Sequence, residues 1–355
     1  MRPEDGVRVA LVGYGLAGRM FHRPLIAATS GMHIAAVVTA DPTRAAQARV
    51  ELPGVSVMAT VHELVRERDR FDLVVVASTT GSHVAVAEAV VDAGLPLVVE
   101  KPLAPTAAEA RAVADRARRR GVSVAVFHNR RWDAEYLTLR RLVRFGELGE
   151  VLRCESRIER WRPHPDPSAW RHREPAQRGG GVLLDLGVHL VDQALDLFGP
   201  ARAVYAEVEC RRGGADDDVF VAVDHASGVR SHLWAGLLCA SPGPRLRVLG
   251  RRGAFVVDEI DGQEDQLRAG QWPDDADFGE VPVERWGRLV EGDGDGRRAR
   301  PVRSERGRWL AFYEQVAAMV RHGAPPPVSA DDACVALEVL DAARRSAATA
   351  TVVRL

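Results

Sequence analysis

The chain carries 48 lysines and arginines, and a single one of them, Lys101, is lysine. Arginine is a planar fork that stays charged, whereas lysine is a compact ammonium whose pKa moves readily on burial. A chain that uses arginine everywhere else keeps lysine where a point donor or a tunable proton is needed, unless the residue is a chance survivor on the surface. Its setting, Leu97-Val98-Val99-Glu100-Lys101-Pro102, is the end of an apolar strand, the edge at which open α/β sheets bind ligands. Further on, Gly179-Gly180-Gly181 leads into Val182-Leu183-Leu184-Asp185-Leu186-Gly187-Val188-His189. On a helix Asp185 and His189 stand four apart on one face, while Leu183, Leu186 and Leu190 occupy packed faces. Oxidising an alcohol requires a base for the hydroxyl proton and a donor for the growing alkoxide; an imidazole suits the first task and a buried ammonium the second. A neighbouring carboxylate can orient either the base or the substrate. The same pair also suits an ordinary hydrogen-bonded helix face, or two ligands of a zinc ion. No third clustered ligand and no nearby cysteine accompany it, so no metal is expected.

Positioning such groups falls to the elements around them. Val7 to Val12 reads as a buried strand, and Gly13-Tyr14-Gly15-Leu16-Ala17-Gly18 follows at once, opening a helix toward Ala28. Between a strand and a helix this spacing is the dinucleotide fingerprint: Gly13 for the tight turn, Gly15 for close approach of a pyrophosphate, Gly18 for helix–strand packing. The helix start, with Leu16 and Ala17, offers unpaired N–H groups to the phosphates. Further strands are expected at His33–Thr39, Phe71–Ala77, Leu97–Val99 and Val122–Phe127, and capping boxes at Thr60/Glu63 and Thr106/Glu109 start later helices. At the end of the second strand, where an acidic residue usually holds the ribose of NAD, stands Thr39, with Arg44 one turn away. That combination leans toward NADP over NAD, although Asp41 would repel a 2′-phosphate if it turned inward.

At 355 residues the chain is longer than one hydrophobic core usually serves, so two domains are expected. The boundaries read as residues 1–128 for a doubly wound, Rossmann-type parallel sheet of about six strands, and 129–355 for an α+β domain with a large, mainly antiparallel sheet. Strands of the latter are expected at Val151–Arg160, Ala203–Cys210, Val219–His225, Val229–Leu237, Arg245–Leu249 and Ala254–Val257. Helices flank them at Asp133–Phe145, Trp309–His322 and Ala330–Ala347, and Gly270–Arg300, rich in Asp, Gly and Arg, reads as partly irregular surface chain. A net charge of −1 supplies no field to draw the protein to nucleic acid or a membrane, and no apolar run is long enough to span a bilayer. The four cysteines, Cys154, Cys210, Cys239 and Cys334, lie far apart and read as reduced, mostly buried thiols of a cytoplasmic protein.

Glu100-Lys101-Pro102 together with Gly-Gly-Gly-x-x-x-Asp185-x-Gly-x-His189 closely resembles the glucose–fructose oxidoreductase, inositol dehydrogenase and rhizopine catabolism (Gfo/Idh/MocA) family. His128-Asn129-Arg130-Arg131-Trp132-Asp133, Arg160-Trp161-Arg162-Pro163 and Ile260-Asp261-Gly262-Gln263-Glu264-Asp265 look most like the branch of NADP-dependent scyllo-inositol dehydrogenases. The resemblance implies catalytic roles for Lys101, Asp185 and His189, with His189 the proton acceptor. It implies that Ser78, Thr79, Thr80, His83, Glu100, Lys101 and Asn129 line the nicotinamide and ribose. Arg160 and Trp170, with Lys101, Asp185 and His189, would meet the substrate. The implied partners are a small polyol or sugar and further copies of the chain, as a homodimer or homotetramer through the C-terminal sheet. Two other functions fit parts of the pattern. A glycosidase using NAD for transient oxidation would keep the lysine and histidine; a non-catalytic dinucleotide-binding regulator need not.

Overall fold

The computed structural model describes residues 6–166, 174–292 and 296–355. The chain forms two compact units: Met1–Asn129 with Gln263–Phe278 and Trp309–Cys334, and Arg130–Gly262 with Gly279–Arg308 and Val335–Leu355. The first unit is therefore completed by two segments from the last third of the sequence.

In the first unit, β1 (Val7–Val12), β2 (Met32–Val38), β3 (Ser56–Met58), β4 (Leu73–Val76), β5 (Leu97–Glu100) and β6 (Val124–Phe127) make one parallel sheet in the order β3-β2-β1-β4-β5-β6. Every residue of β4, β5 and β6 is buried, as expected for strands covered by helices on both faces. The helices α1 (Arg23–Ala28), α2 (Pro42–Glu51), α3 (Val61–Arg66), α4 (Thr80–Asp92) and α5 (Ala107–Arg120) connect them. Both capping boxes form: Thr60 Oγ1 accepts the N–H of Glu63, and Thr106 Oγ1 that of Glu109. Gly121 ends α5 in the left-handed conformation (φ 65°). The helix expected from the glycine fingerprint to Ala28 begins instead as a wide π turn, Ala17–His22, before narrowing to α1. At the far edge, Val126 N–H donates to the Val328 carbonyl (3.0 Å), so a late segment completes β6.

Among the described residues of the second unit, nine strands lie in the order β14-β13-β12-β11-β7-β10-β9-β8-β15. They are β7 (Val151–Glu159), β8 (Ala201–Glu209), β9 (Asp218–His225), β10 (Arg230–Gly236), β11 (Leu246–Gly250), β12 (Ala254–Val257), β13 (Arg288–Glu291), β14 (Arg298–Pro301) and β15 (Val353–Arg354). All pairs are antiparallel except β10 with β7, which run parallel, so the sheet is mixed. Period-two patterning is plain in β9, where Val219, Val221 and Val223 are buried and the residues between them are half-exposed. The helices α6 (Ala134–Arg144) and α7 (Val188–Phe198) cover the buried face, with Tyr136, Leu139, Leu190 and Ala194 packed beside Cys154, Leu233 and Leu246. Fully burying a Leu or Val of this kind contributes about 1.5–3 kcal/mol.

Two expectations need correction. Gly270–Arg300 is less irregular than its composition suggests: β13 and β14 form an antiparallel pair that extends the sheet, and Phe278 and Leu289 are buried. Of the four thiols, only Cys154 and Cys334 are buried, whereas Cys210 is exposed in the turn between β8 and β9. Among the described residues no helix is long and apolar enough to cross a membrane.

Candidate active site

All strands of the first sheet run the same way, so the chain leaving each strand emerges on one edge. Gly13 follows β1, Thr39 follows β2, Ser78-Thr79-Thr80 follow β4, Lys101 follows β5 and Asn129 lies just past β6. Seven candidate positions thus share the carboxyl edge of one sheet, and the strand order reverses between β1 and β4, the switch point at which such sheets bind ligands.

The three fingerprint glycines differ in what they permit. A Cβ on Gly13, whose φ is +95°, would stand 2.6 Å from the Ala77 carbonyl oxygen, and one on Gly18 2.1 Å from that of Gly13. Backbone packing alone therefore demands glycine at both. A Cβ on Gly15 would meet only the Arg44 guanidinium, at 3.7 Å. This leaves an open cradle beside a cation at the start of a helix, where the first N–H groups lack intrahelical partners. Such a cradle fits the pyrophosphate of a dinucleotide. Asp41 is engaged elsewhere: its Oδ1 accepts the N–H of Thr43 (2.9 Å) and Arg44 (3.1 Å), capping α2, and its Oδ2 lies 3.6 Å from Arg44 Nε.

Around Lys101 the side chains bind the backbone. Glu100 Oε2 accepts the Lys101 N–H (2.9 Å), and Glu100 Oε1 lies 3.1 Å from His22 Nε2. His83, buried on α4, has Nδ1 2.9 Å from the Pro102 carbonyl and Nε2 3.2 Å from the Ser78 carbonyl. It thus spans the turns after β4 and β5. Ser82 Oγ lies 2.7 Å from both Ser78 Oγ and the Thr79 carbonyl. The Lys101–Pro102 peptide is cis.

Asp185, His189 and Arg160 belong to the second unit. Gly181 adopts φ +95°, and a Cβ there would meet Asp216 Oδ1 at 1.9 Å. Asp216 Oδ2 accepts the Leu183 N–H (2.7 Å), so this carboxylate holds the helix start, and burial raises its pKa. The helix opens with a π turn, Leu183–Gly187, which contains half-buried Asp185; buried His189 follows in the α segment. The simple α-helical four-residue spacing expected for the pair is therefore widened at its N-terminal half. One turn past His189, Asp192 takes a two-pronged bond from Arg131 (Nε–Oδ2 2.9 Å, Nη2–Oδ1 2.7 Å), and Asp196 accepts from Arg131 Nη1 (3.0 Å) and Tyr136. Burial opposes the charge on Arg131, and the two aspartates more than reverse that, keeping it protonated. Arg160 leaves β7 half-buried, its N–H bonded to the Gly236 carbonyl. Trp170 lies outside the described residues.

The Ile260–Asp265 motif also gains a place. Asp261 Oδ2 accepts the Ala134 N–H at the start of α6 (2.8 Å), and its own N–H donates to Glu135 Oε2 (3.1 Å). Arg245 Nε lies 3.2 Å from Glu135 Oε1, and its Nη atoms donate to Ser156 Oγ (2.5 Å) and Gln193 Oε1 (2.9 Å). Sequence reasoning missed His22, Tyr313, Asp216 and the Arg131–Asp192 pair. A histidine directly after the apolar Met20-Phe21 pair was a weak signal for the first; nothing local marks the others, whose partners are distant in sequence. Among the described residues no group of three or more His, Cys, Asp and Glu side chains is placed to hold a metal ion.

Fold and dinucleotide cradle together define an NAD(P)-dependent oxidoreductase built on a Rossmann unit. Residues 7–128 match the oxidoreductase family with an NAD-binding Rossmann fold, and residues 136–256 match the Gfo/Idh/MocA C-terminal domain. The chain is 32% identical over 347 residues to scyllo-inositol 2-dehydrogenase (NADP(+)) IolW of Bacillus subtilis, covering 97% of this chain and 95% of that protein. It is 33% identical to the uncharacterized oxidoreductase YdgJ of Escherichia coli, with 97% of each covered. The solved structure of yvaA from Bacillus subtilis superposes with a TM-score of 0.92 at 30% identity, covering 100% of this chain and 99% of that one. The chain belongs to the Gfo/Idh/MocA family and is a dehydrogenase acting on CH–OH groups.

Proposed function

We propose that the chain interconverts a secondary alcohol and its ketone on a cyclitol or sugar, using NADP in preference to NAD. The observation that carries this reading is the 32% identity to an NADP-dependent scyllo-inositol dehydrogenase across nearly the full length of both chains. When bound, the nicotinamide accepts or returns the hydride. His189 takes the hydroxyl proton, Asp185 orients base or substrate, and the Lys101 ammonium stabilises the developing alkoxide. Glu100 and His83 fix the turns that present Lys101, while Arg160 and Trp170 contact the polyol.

The cofactor preference is supported by Thr39, which adds no charge beside the ribose, by Arg44 over Gly15, and by the commitment of Asp41 to capping α2. Thr39→Asp is expected to weaken NADP binding far more than NAD binding, measured by fluorescence titration; equal effects would remove residue 39 from the ribose. The reaction is tested by nicotinamide absorbance with NAD and NADP across a panel of inositols and simple sugars. Reduction of NADP by a cyclitol is the expected result. No net reduction with any of them, together with tightly retained cofactor and cleavage of a glycoside, would replace this reading by the redox-cycling glycosidase.

Assembly as a homodimer or homotetramer through the C-terminal sheet belongs to the same proposal. It is supported by the half-exposed aromatic residues Phe220 and Trp234 on neighbouring strands, with ring centroids 5.1 Å apart and the Arg157 guanidinium 3.9 Å over Trp234. Light scattering that returns a monomer mass would overturn it.

A further inference from the structure

We propose that Tyr313 and His22 are positioning residues for Lys101, acting through the carboxylate of Glu100; the inference rests on the reading of Lys101 as the alkoxide donor. Tyr313 reaches the first unit on the late helix Leu310–His322. Its hydroxyl lies 2.5 Å from His22 Nδ1, His22 Nε2 lies 3.1 Å from Glu100 Oε1, and Glu100 Oε2 accepts the Lys101 N–H at 2.9 Å. His22 and Tyr313 are fully buried and Glu100 is 8% exposed.

One set of protons satisfies every member. An ionised Glu100 accepts from His22 Nε2–H, the neutral imidazole then accepts at Nδ1, and the tyrosine hydroxyl donates. The alternative tautomer would turn a lone pair of His22 toward a carboxylate and lose that bond. Tyr313 therefore selects the tautomer, much as a partner on one ring nitrogen sets the state of the other in catalytic histidines. Phe127 holds the imidazole from the side, its centroid 4.5 Å away. Burial and the nearby Glu100 charge keep the Tyr313 hydroxyl protonated, as a donor must be. The chain of bonds ends at a fully buried ring, so it leads no proton to solvent. Its function is static: it fixes the Glu100 carboxylate, which in turn fixes the peptide that carries the ammonium.

Tyr313→Phe removes one hydroxyl and keeps the ring packing. We expect a cooperative melt and a cofactor Kd within about twofold of the native protein, with kcat about tenfold lower, because small displacements of a reacting group are costly in rate. The double variant Tyr313→Phe/Glu100→Gln should be no slower than Glu100→Gln alone, since the hydroxyl acts only through that carboxylate. His22→Gln, which keeps a donor and an acceptor, should retain more turnover than His22→Leu. Native kcat in Tyr313→Phe, losses that multiply in the double variant, or equal impairment by Gln and Leu at position 22 would each overturn the proposal. Lys101→Met separates the two layers. If it retains turnover, the reading of Lys101 is wrong; if it is inactive while Tyr313→Phe is native-like, only the positioning role falls.

Discussion

Lys101 is the one lysine among 48 lysines and arginines. Its main-chain N–H is held by Glu100. Lys101→Arg keeps a positive charge but replaces a point donor with a broader, permanently protonated fork. We expect the variant to fold and bind cofactor with kcat lowered by about 100-fold or more, given the cost of misplacing a catalytic group; near-native turnover would remove the argument from the lone lysine. A second prediction concerns Glu135. Burial, reinforced by Asp133 and Asp261 and opposed by Arg245, pushes its pKa up to about 8. The folded state then holds a proton that the unfolded chain releases near its ordinary carboxylate pKa. That contribution to stability is complete below the unfolded pKa and is lost as the pH rises toward and through about 8. Urea midpoints taken between about pH 5 and pH 9 should fall with rising pH more steeply for the native chain than for Glu135→Gln. Equal slopes would show that the carboxyl is not held protonated.

At the scale of elements, each candidate group stands on a turn or helix start set by particular contacts. The helix bearing Asp185 and His189 begins where the positive φ of Gly181 lets the chain pass under Asp216, which accepts the Leu183 N–H. Gly181→Ala places a Cβ 1.9 Å from the Asp216 carboxylate on a backbone that L residues rarely adopt. The cost should be at least the roughly 1–3 kcal/mol of such backbone strain, read by denaturant titration, with turnover reduced beyond the loss of folded protein. A native-like denaturation midpoint would mean that the turn relaxes without cost. The glycine pattern, the capping boxes and the strand alternation were legible because each is written in a few adjacent residues. The π turns at Ala17–His22 and Leu183–Gly187 were not, since an extra residue per turn leaves the apolar pattern close to that of an α-helix.

At the scale of the molecule, the first unit is not one stretch of chain. Trp309, Phe312 and Tyr313 are buried in it: Phe312 and Tyr313 pack on Phe127, Trp309 packs against Phe21, and Val328 continues the β6 edge. A fragment of residues 1–128 would expose that aromatic cluster and an unpaired strand edge, a combination that favours association over folding. We expect such a fragment to lack a cooperative thermal transition and a measurable dinucleotide Kd; a cooperative, cofactor-binding fragment would show that the late segments are dispensable.

Read by itself, the sequence determined the dinucleotide fingerprint, the two-part architecture, the resemblance to a family and the candidate catalytic residues Lys101, Asp185 and His189. The fingerprint and the candidate residues rest on residue types at short spacing, the two-part architecture on chain length and local periodicity, and the resemblance on several such short motifs in order. Tertiary structure alone decided that β10 runs parallel to β7, that β13 and β14 lengthen the sheet, that Asp41 is spent on a helix cap and that Tyr313 reaches back to His22 and Glu100. Those are pairings between groups far apart along the chain. No local propensity encodes them; they follow from which surfaces can be buried together once every polar group inside must find a partner.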